Sequence, residues 1–217
     1  MILSHLQAML ARLYDAPVAH DVRDYLITDR KRLRELSGIA ARDAHDEQVI
    51  LVQDDAGLRV GVFIDEAVIA RLVQRDPLRA LDESNLSEYC TALEGVSHFH
   101  YLIWSLERGR DVSMLELEVQ ADVDKYVSAL ALITEQREGE FPGDLHRRLF
   151  HRVRFMAQTD ESVRSRYEEA NRHAARFCRA LDERFLRRRR AQPEAWLGEL
   201  RKFFRLGHQA KLRLLTT

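Results

Sequence analysis

The sequence predicts a mainly α-helical fold with a small β part (α+β), a multi-helix bundle built on one central helical hairpin. Three observations predict it. Helix breakers are scarce, with 9 Gly and 4 Pro in 217 residues, while Leu, Ala, Arg and Glu, which lose little rotamer freedom in a helix, are abundant. Apolar residues recur at helical spacing through most of the chain, most regularly between Leu86 and Ile133. The β-branched runs gather in one place, near residues 48–64, where a single β-hairpin is expected.

In order, apolar residues at positions 2, 3, 6, 9, 10 and 13 give a first helix, broken by Pro17. Residues 21–27 and 29–36 read as short helices, with Thr28 or Asp29 capping the second and Gly38 ending it. The polar stretch 41–47 reads as a loop. Two β-branched runs, 49–53 and 58–64, flank the turn residues Asp54, Asp55, Ala56 and Gly57. An isolated hairpin is marginal in water, so this one must lie on helices or join strands of another chain. Residues 66–74 return to helix, before Asp76-Pro77.

The central hairpin begins after Ser84 or Asn85. Leu86, Tyr89, Cys90, Leu93, Val96, His100 and Trp104 share one helical face, and Phe99, Leu102 and Leu106 cover much of the other. A helix apolar nearly all round is a buried one. Gly109 lies in the connection, and Ser113 with Glu116 forms a capping box for a second helix striped by Leu115, Val119, Val123, Tyr126, Leu130 and Ile133. Gly139, Pro142 and Gly143 mark the best internal boundary. It divides an acidic region, 1–140, from a basic helical region, 141–217, expected to pack on the first as one compact unit. The second region holds a helix at 145–156 and a long one capped by Thr159 or Asp160. That long helix is striped by Val163, Tyr167, Ala170, Ala174, Phe177, Cys178, Leu181 and Phe185. Pro193 opens a last helix containing Trp196, Leu200, Phe203 and Phe204, with Gly207 near its end.

Apolar content of 46% and charged content of 32% suit a globular protein. Cys90 and Cys178 have no zinc-ligand spacing and read as small buried hydrophobes in a reducing compartment. No run of apolar residues is long enough to span a membrane, and the first residues lack the features of a secretory leader, so a cytoplasmic location is expected. Net charge is −1 but unevenly placed. Residues 1–144 carry 15 Lys/Arg against 27 Asp/Glu, and residues 145–217 carry 19 against 8. Either the two halves attract one another or the basic half faces an anionic partner.

Three groups of residues could carry chemistry. On the first hairpin helix, Glu94 and His98 are four apart and His100 follows. For antiparallel helices turning near residue 110, facing partners sum to roughly 221. That places His100 near Asp122, His98 near Asp124, and Glu118 a turn away. Imidazole and carboxylate converging between helices make a divalent metal site from His98, His100, Glu118 and Asp122. The alternative is a buried His100–Asp122 hydrogen bond that sets helix register, with Glu94, His98 and Asp124 exposed. The second group is R-x6-H, present as Arg166 with His173 and as Arg201 with His208. This spacing resembles that of helical ribonucleases of the HEPN type, and the resemblance implies that imidazole exchanges the 2′-hydroxyl proton while guanidinium holds the phosphate. It covers these spacings alone, and Tyr167 and Lys202 stand where the family has a small polar residue. The third group is the arginine tract Arg184, Arg187, Arg188, Arg189 and Arg190. It reads either as a solvated helix end or as an anion- or nucleic-acid-binding patch, with Trp196, Phe203 or Phe204 as stacking platforms.

Gly-rich phosphate loops, nucleophile elbows and dinucleotide fingerprints are absent from the sequence. The expected function is therefore a non-catalytic interaction or regulatory protein, homodimeric, acting through its helical faces and needing no cofactor. The two alternatives are a nucleic-acid-binding module or ribonuclease using the basic region, with RNA or DNA as partner, and a metal-dependent enzyme using the hairpin.

Overall fold

The computed structural model of the chain describes residues 2–37, 45–54, 57–151, 161–186 and 193–216. α1 (Ile2–Tyr14) lays Leu3, Leu6, Leu10 and Tyr14 into the core. Residues 21–27, expected to be helical, instead form one 3-10 turn, Val22–Tyr25, and a two-residue strand, β1 (Leu26–Ile27). Asp21 caps the turn by accepting the Arg23 N–H, and the remaining two residues find their backbone partners in a sheet. α2 (Arg30–Ser37) follows, with the Asp29 carboxylate accepting the Lys31 N–H. Gly38 and residues 41–44 lie outside the described residues.

β2 (Glu47–Asp54) and β3 (Gly57–Ile64) form the expected antiparallel hairpin, with Val49 opposite Val62. β1 joins β3 in parallel, giving the order β1-β3-β2. Glu47, read from sequence as loop, is the first residue of β2. α3 (Glu66–Gln74) is capped by Asp65, which accepts the Ala67 N–H.

α4 (Leu86–Leu106) and α5 (Met114–Gln136) are the two helices of the central hairpin. As its all-round apolar character predicts, α4 is buried along most of its length. Gly109 turns the connection at φ +62°, a conformation that favours glycine. Ser113 caps α5 by accepting the Glu116 N–H at 3.1 Å. The expected return contact from the Glu116 side chain is replaced by hydrogen bonding to Tyr101.

α6 (Leu145–Phe150) ends earlier than expected, and residues 152–160, with the capping candidates Thr159 and Asp160, are outside the described residues. α7 (Glu161–Leu181) packs along α5 and runs into a π-helical turn, Asp182–Leu186. α8 (Pro193–Arg205) opens on Pro193 as predicted. Gly207 lies just beyond its end, as expected, and a further helix, α9 (His208–Thr216), follows that the sequence reading did not assign. Phe203 and Phe204 are fully buried, stacked on Phe177 and Tyr14, so they are core residues and not platforms for bases. One apolar cluster joins residues of α1, β3 and α3 to α8. Both cysteines are free, Cys178 buried and Cys90 half-buried. Among the described residues, no helix is long and apolar enough to cross a membrane.

Candidate metal centre

One turn of α4 sets Glu94 and His98 on the same side, facing Glu118 of α5 and Glu47 at the start of β2. The sheet comes this close because position 95 is glycine. A Cβ there would stand 3.1 Å from both Glu47 Cγ and Val62 Cγ1. His98 is held by one carboxylate at each ring nitrogen. Nδ1 lies 3.3 Å from Glu47 Oε1, whereas Nε2 is 3.6 Å from Glu118 Oε2, too far for a hydrogen bond, and has no other partner. The side chains of His98 and Glu118 are 6% and 4% exposed. The potential ligand atoms of Glu94, His98 and Glu118 all lie within 4.8 Å of one another.

Negative charge is concentrated here. Lys125 bridges Glu94 at 3.1 Å and Asp122 at 2.7 Å, and so neutralises part of it. Burial opposes charge on Glu94, but Lys125 and then His98 outweigh it and lower its pKa. Glu47 is the strained member: burial pushes its pKa up to about 7, against the pull of His98. Burial also disfavours the charged imidazole, yet the Glu47 and Glu118 carboxylates hold the His98 pKa well above its usual value. The carboxylates thus favour the imidazolium form of His98, whose Nε2 stands 3.6 Å from Glu118 without a hydrogen bond. A divalent cation carries the charge such a site lacks, and it uses Nε2 as a ligand.

His100, placed near Asp122 by the sequence reading, is elsewhere. It is 1% exposed, its ring is 6.2 Å from Phe204, and neither nitrogen has a hydrogen-bond partner. Burial pushes its pKa down to about 4. The partner of Asp122 is Lys125 instead, so a register-setting His100–Asp122 bond does not exist. His98 and Asp124, expected on the surface under that alternative, are both buried. Of the four metal candidates, His98 and Glu118 come together, Asp122 stands behind Lys125, and His100 does not take part. Glu47 was missed because a β-strand brings it in from 51 residues away. The spacing of Glu94 and His98 was the readable signal.

A second buried polar cluster lies on another side of the hairpin. Asp124 accepts from Tyr14, Ser97 and Gln120, and Lys211 of α9 donates to Gln120 Oε1 and the Tyr101 hydroxyl at 2.8 Å each. Tyr101 in turn donates to Glu116, which Arg110 approaches to 3.4 Å. Apart from Glu116 Oε2, its groups are satisfied by one another, as buried polar networks should be. The metal candidate differs in leaving His98 Nε2 open.

The remaining sequence candidates separate. Arg201 donates to the Leu13 carbonyl and His208 contacts the Ser113 hydroxyl at 2.8 Å, so both tie helices together and do not share a cleft. Arg166 and His173 do share α7. Arg166 Nε and His173 Nδ1 are buried without partners, and His173 Nε2 is 3.5 Å from Glu169. Arg184 is exposed in the π-helical turn, while Arg187, Arg188, Arg189 and Arg190 lie outside the described residues. No protein-family model matches the chain, and neither a curated protein nor a solved structure matches it.

Proposed function

We propose that the protein is a metal-dependent enzyme whose divalent ion, manganese, iron or zinc, is held by Glu94, His98 and Glu118. The observation that carries this reading is the buried His98 Nε2, which makes no hydrogen bond and stands beside the carboxylates of Glu94 and Glu118. Glu47 supplies the second half of the argument. A carboxylate on Nδ1 fixes the tautomer and orientation of a metal-binding imidazole, leaving Nε2 for the ion. Two carboxylates and one imidazole suit ions that accept oxygen and nitrogen. Three protein ligands leave coordination positions open, the mark of a catalytic and not a structural site, where a bound ion polarises substrate oxygen. The test is elemental analysis of purified protein after metal supplementation. Equimolar metal is expected in wild type and in Lys211→Met, and little in His98→Ala. Metal content unchanged by His98→Ala would sink the reading.

A second reading, self-association, is supported by the sheet. β2 is an eight-residue edge strand with Leu51 45% exposed, and a long edge with an apolar side chain favours pairing with another copy. Light scattering should then report a dimer that Leu51→Lys converts to monomer. A monomeric wild type would remove this reading and leave the metal proposal standing.

A further inference from the structure

We infer that α9 is a proton-gated latch, closed on the central hairpin while Lys211 is a neutral amine and opened as Lys211 takes up a proton. The inference is independent of the metal reading. An isolated helix of nine residues is marginal in water, so α9 is held by what it docks on. Its root is pinned: Arg110 donates to the carbonyls of Arg205 and Leu206 at 3.3 and 3.1 Å, and His208 Nδ1 lies 2.8 Å from Ser113 Oγ. Beyond that root, among the described residues, Lys211 is the one side chain of α9 that is buried, at 2% exposed.

The grip is thus a lysine, a residue almost never fully buried unless paired. Nζ donates to the Tyr101 hydroxyl of α4 and to Gln120 Oε1 of α5, at 2.8 Å each. Two acceptors match the two N–H groups of a neutral amine. An ammonium has three, and the third is left the weaker ring faces of Tyr101 and Phe203, 4.0 and 5.0 Å away. The nearby carboxylates are already engaged. Tyr101 stands between Lys211 and Glu116, which Arg110 also approaches. Gln120 stands between Lys211 and Asp124, which accepts from Tyr14 and Ser97 as well. Among the described residues neither carboxylate pairs with Lys211 directly.

Burial accordingly brings the Lys211 pKa down to about 7. The charges acting on it are Glu116 and Asp124 of α5, which oppose the fall, and Arg110 of the connection, which adds to it. Among the described residues α7, packed along α9, adds none, and α8 offers the uncharged Phe203 ring. Opening returns Lys211 to water, where it titrates near 10.5. Between those values each opening takes up a proton, so the closed form gains up to about tenfold per pH unit. Below about pH 7 both forms are charged and the latch is at its loosest. Opening uncovers Tyr101 and Gln120, to which Lys211 was bound.

The experiment is amide hydrogen exchange of the full chain between about pH 7 and about pH 9, read by mass spectrometry in segments from α9 and α5 and corrected for the intrinsic pH dependence of exchange. Lys211→Met and Lys211→Arg are run beside the wild type. In the wild type α9 should exchange faster than α5 at every pH, with its protection rising up to about tenfold per pH unit. Lys211→Met should keep α9 docked without that slope. Lys211→Arg, charged at any ordinary pH, should leave α9 less protected and equally without slope. Protection of α5 checks that the variants fold, and the wild-type slope and ranking decide the matter where one does not. Wild-type α9 protection that ignores pH, or α9 exchanging only together with α5, would overturn the inference. So would a slope that survives in Lys211→Met, which would assign the proton to another group such as His208.

Discussion

His98 and His100 stand two residues apart on α4 in opposite surroundings. Carboxylates keep the first protonated, whereas the second is neutral among apolar side chains beside Phe204. The helical stripe put His100 on the core face, and it is buried, but the reading that left His98 exposed failed, since His98 is buried as well. The difference lies in what β2 and α8 bring from far along the chain. It has a measurable consequence at His100. The unfolded imidazole titrates near 6.5 and the folded one near 4, so between those values the unfolded state binds more protons. Stability contributed here is present above about pH 6.5 and falls as the pH drops towards about 4. His100→Leu should therefore gain on the wild type between about pH 7 and about pH 5 in urea midpoints. Parallel curves for the two proteins would show that His100 takes up no proton on unfolding.

At the scale of elements, most helices, the hairpin and the caps at Asp29 and Ser113 were legible, because apolar period and capping chemistry act locally. Register between helices was legible only in part. The antiparallel arithmetic found the correct level, since Ser97 does meet Asp124, at 2.6 Å. It missed the face: neighbouring residues on a helix point about 100° apart, so His98 turns from Asp124 towards Glu118 and Glu47. The two-residue β1 and the nine-residue α9 beyond Gly207 were too short in signal to read. Gly95 carries the contact between α4 and the sheet. Gly95→Ala would crowd Glu47 and Val62 at 3.1 Å, and the cost of about 1–3 kcal/mol should exceed the gain of about 1 kcal/mol in helix propensity, leaving a net loss of stability. Displacing Glu47 from His98 should also weaken metal binding, which links the packing to the site. A Gly95→Ala protein with wild-type stability and metal affinity would mean that the sheet has room to move away.

For the whole molecule, the uneven charge is partly answered within the chain. Arg148 lies 3.8 Å from Glu83, and Lys211 is buried against the central hairpin, where Glu116 and Asp124 favour its charge. Burial brings the Lys211 pKa down to about 7, although Glu116 and Asp124 oppose the fall. The unfolded lysine titrates near 10.5, so between about 7 and about 10.5 the unfolded state binds more protons. Stability from this group therefore rises with pH across that window. The wild type should gain on Lys211→Met between about pH 7 and about pH 9.5. A constant difference would mean that Lys211 stays charged in the fold.

Whether Glu94, His98 and Glu118 hold a metal can be seen by anomalous diffraction from a manganese-soaked crystal, recorded above the manganese absorption edge. One strong peak is expected between α4 and α5, ligated by Glu94, Glu118 and His98 Nε2, with Glu47 still on Nδ1. A map with no peak there, and His98 still bridging Glu47 and Glu118 as an ion pair, would contradict it.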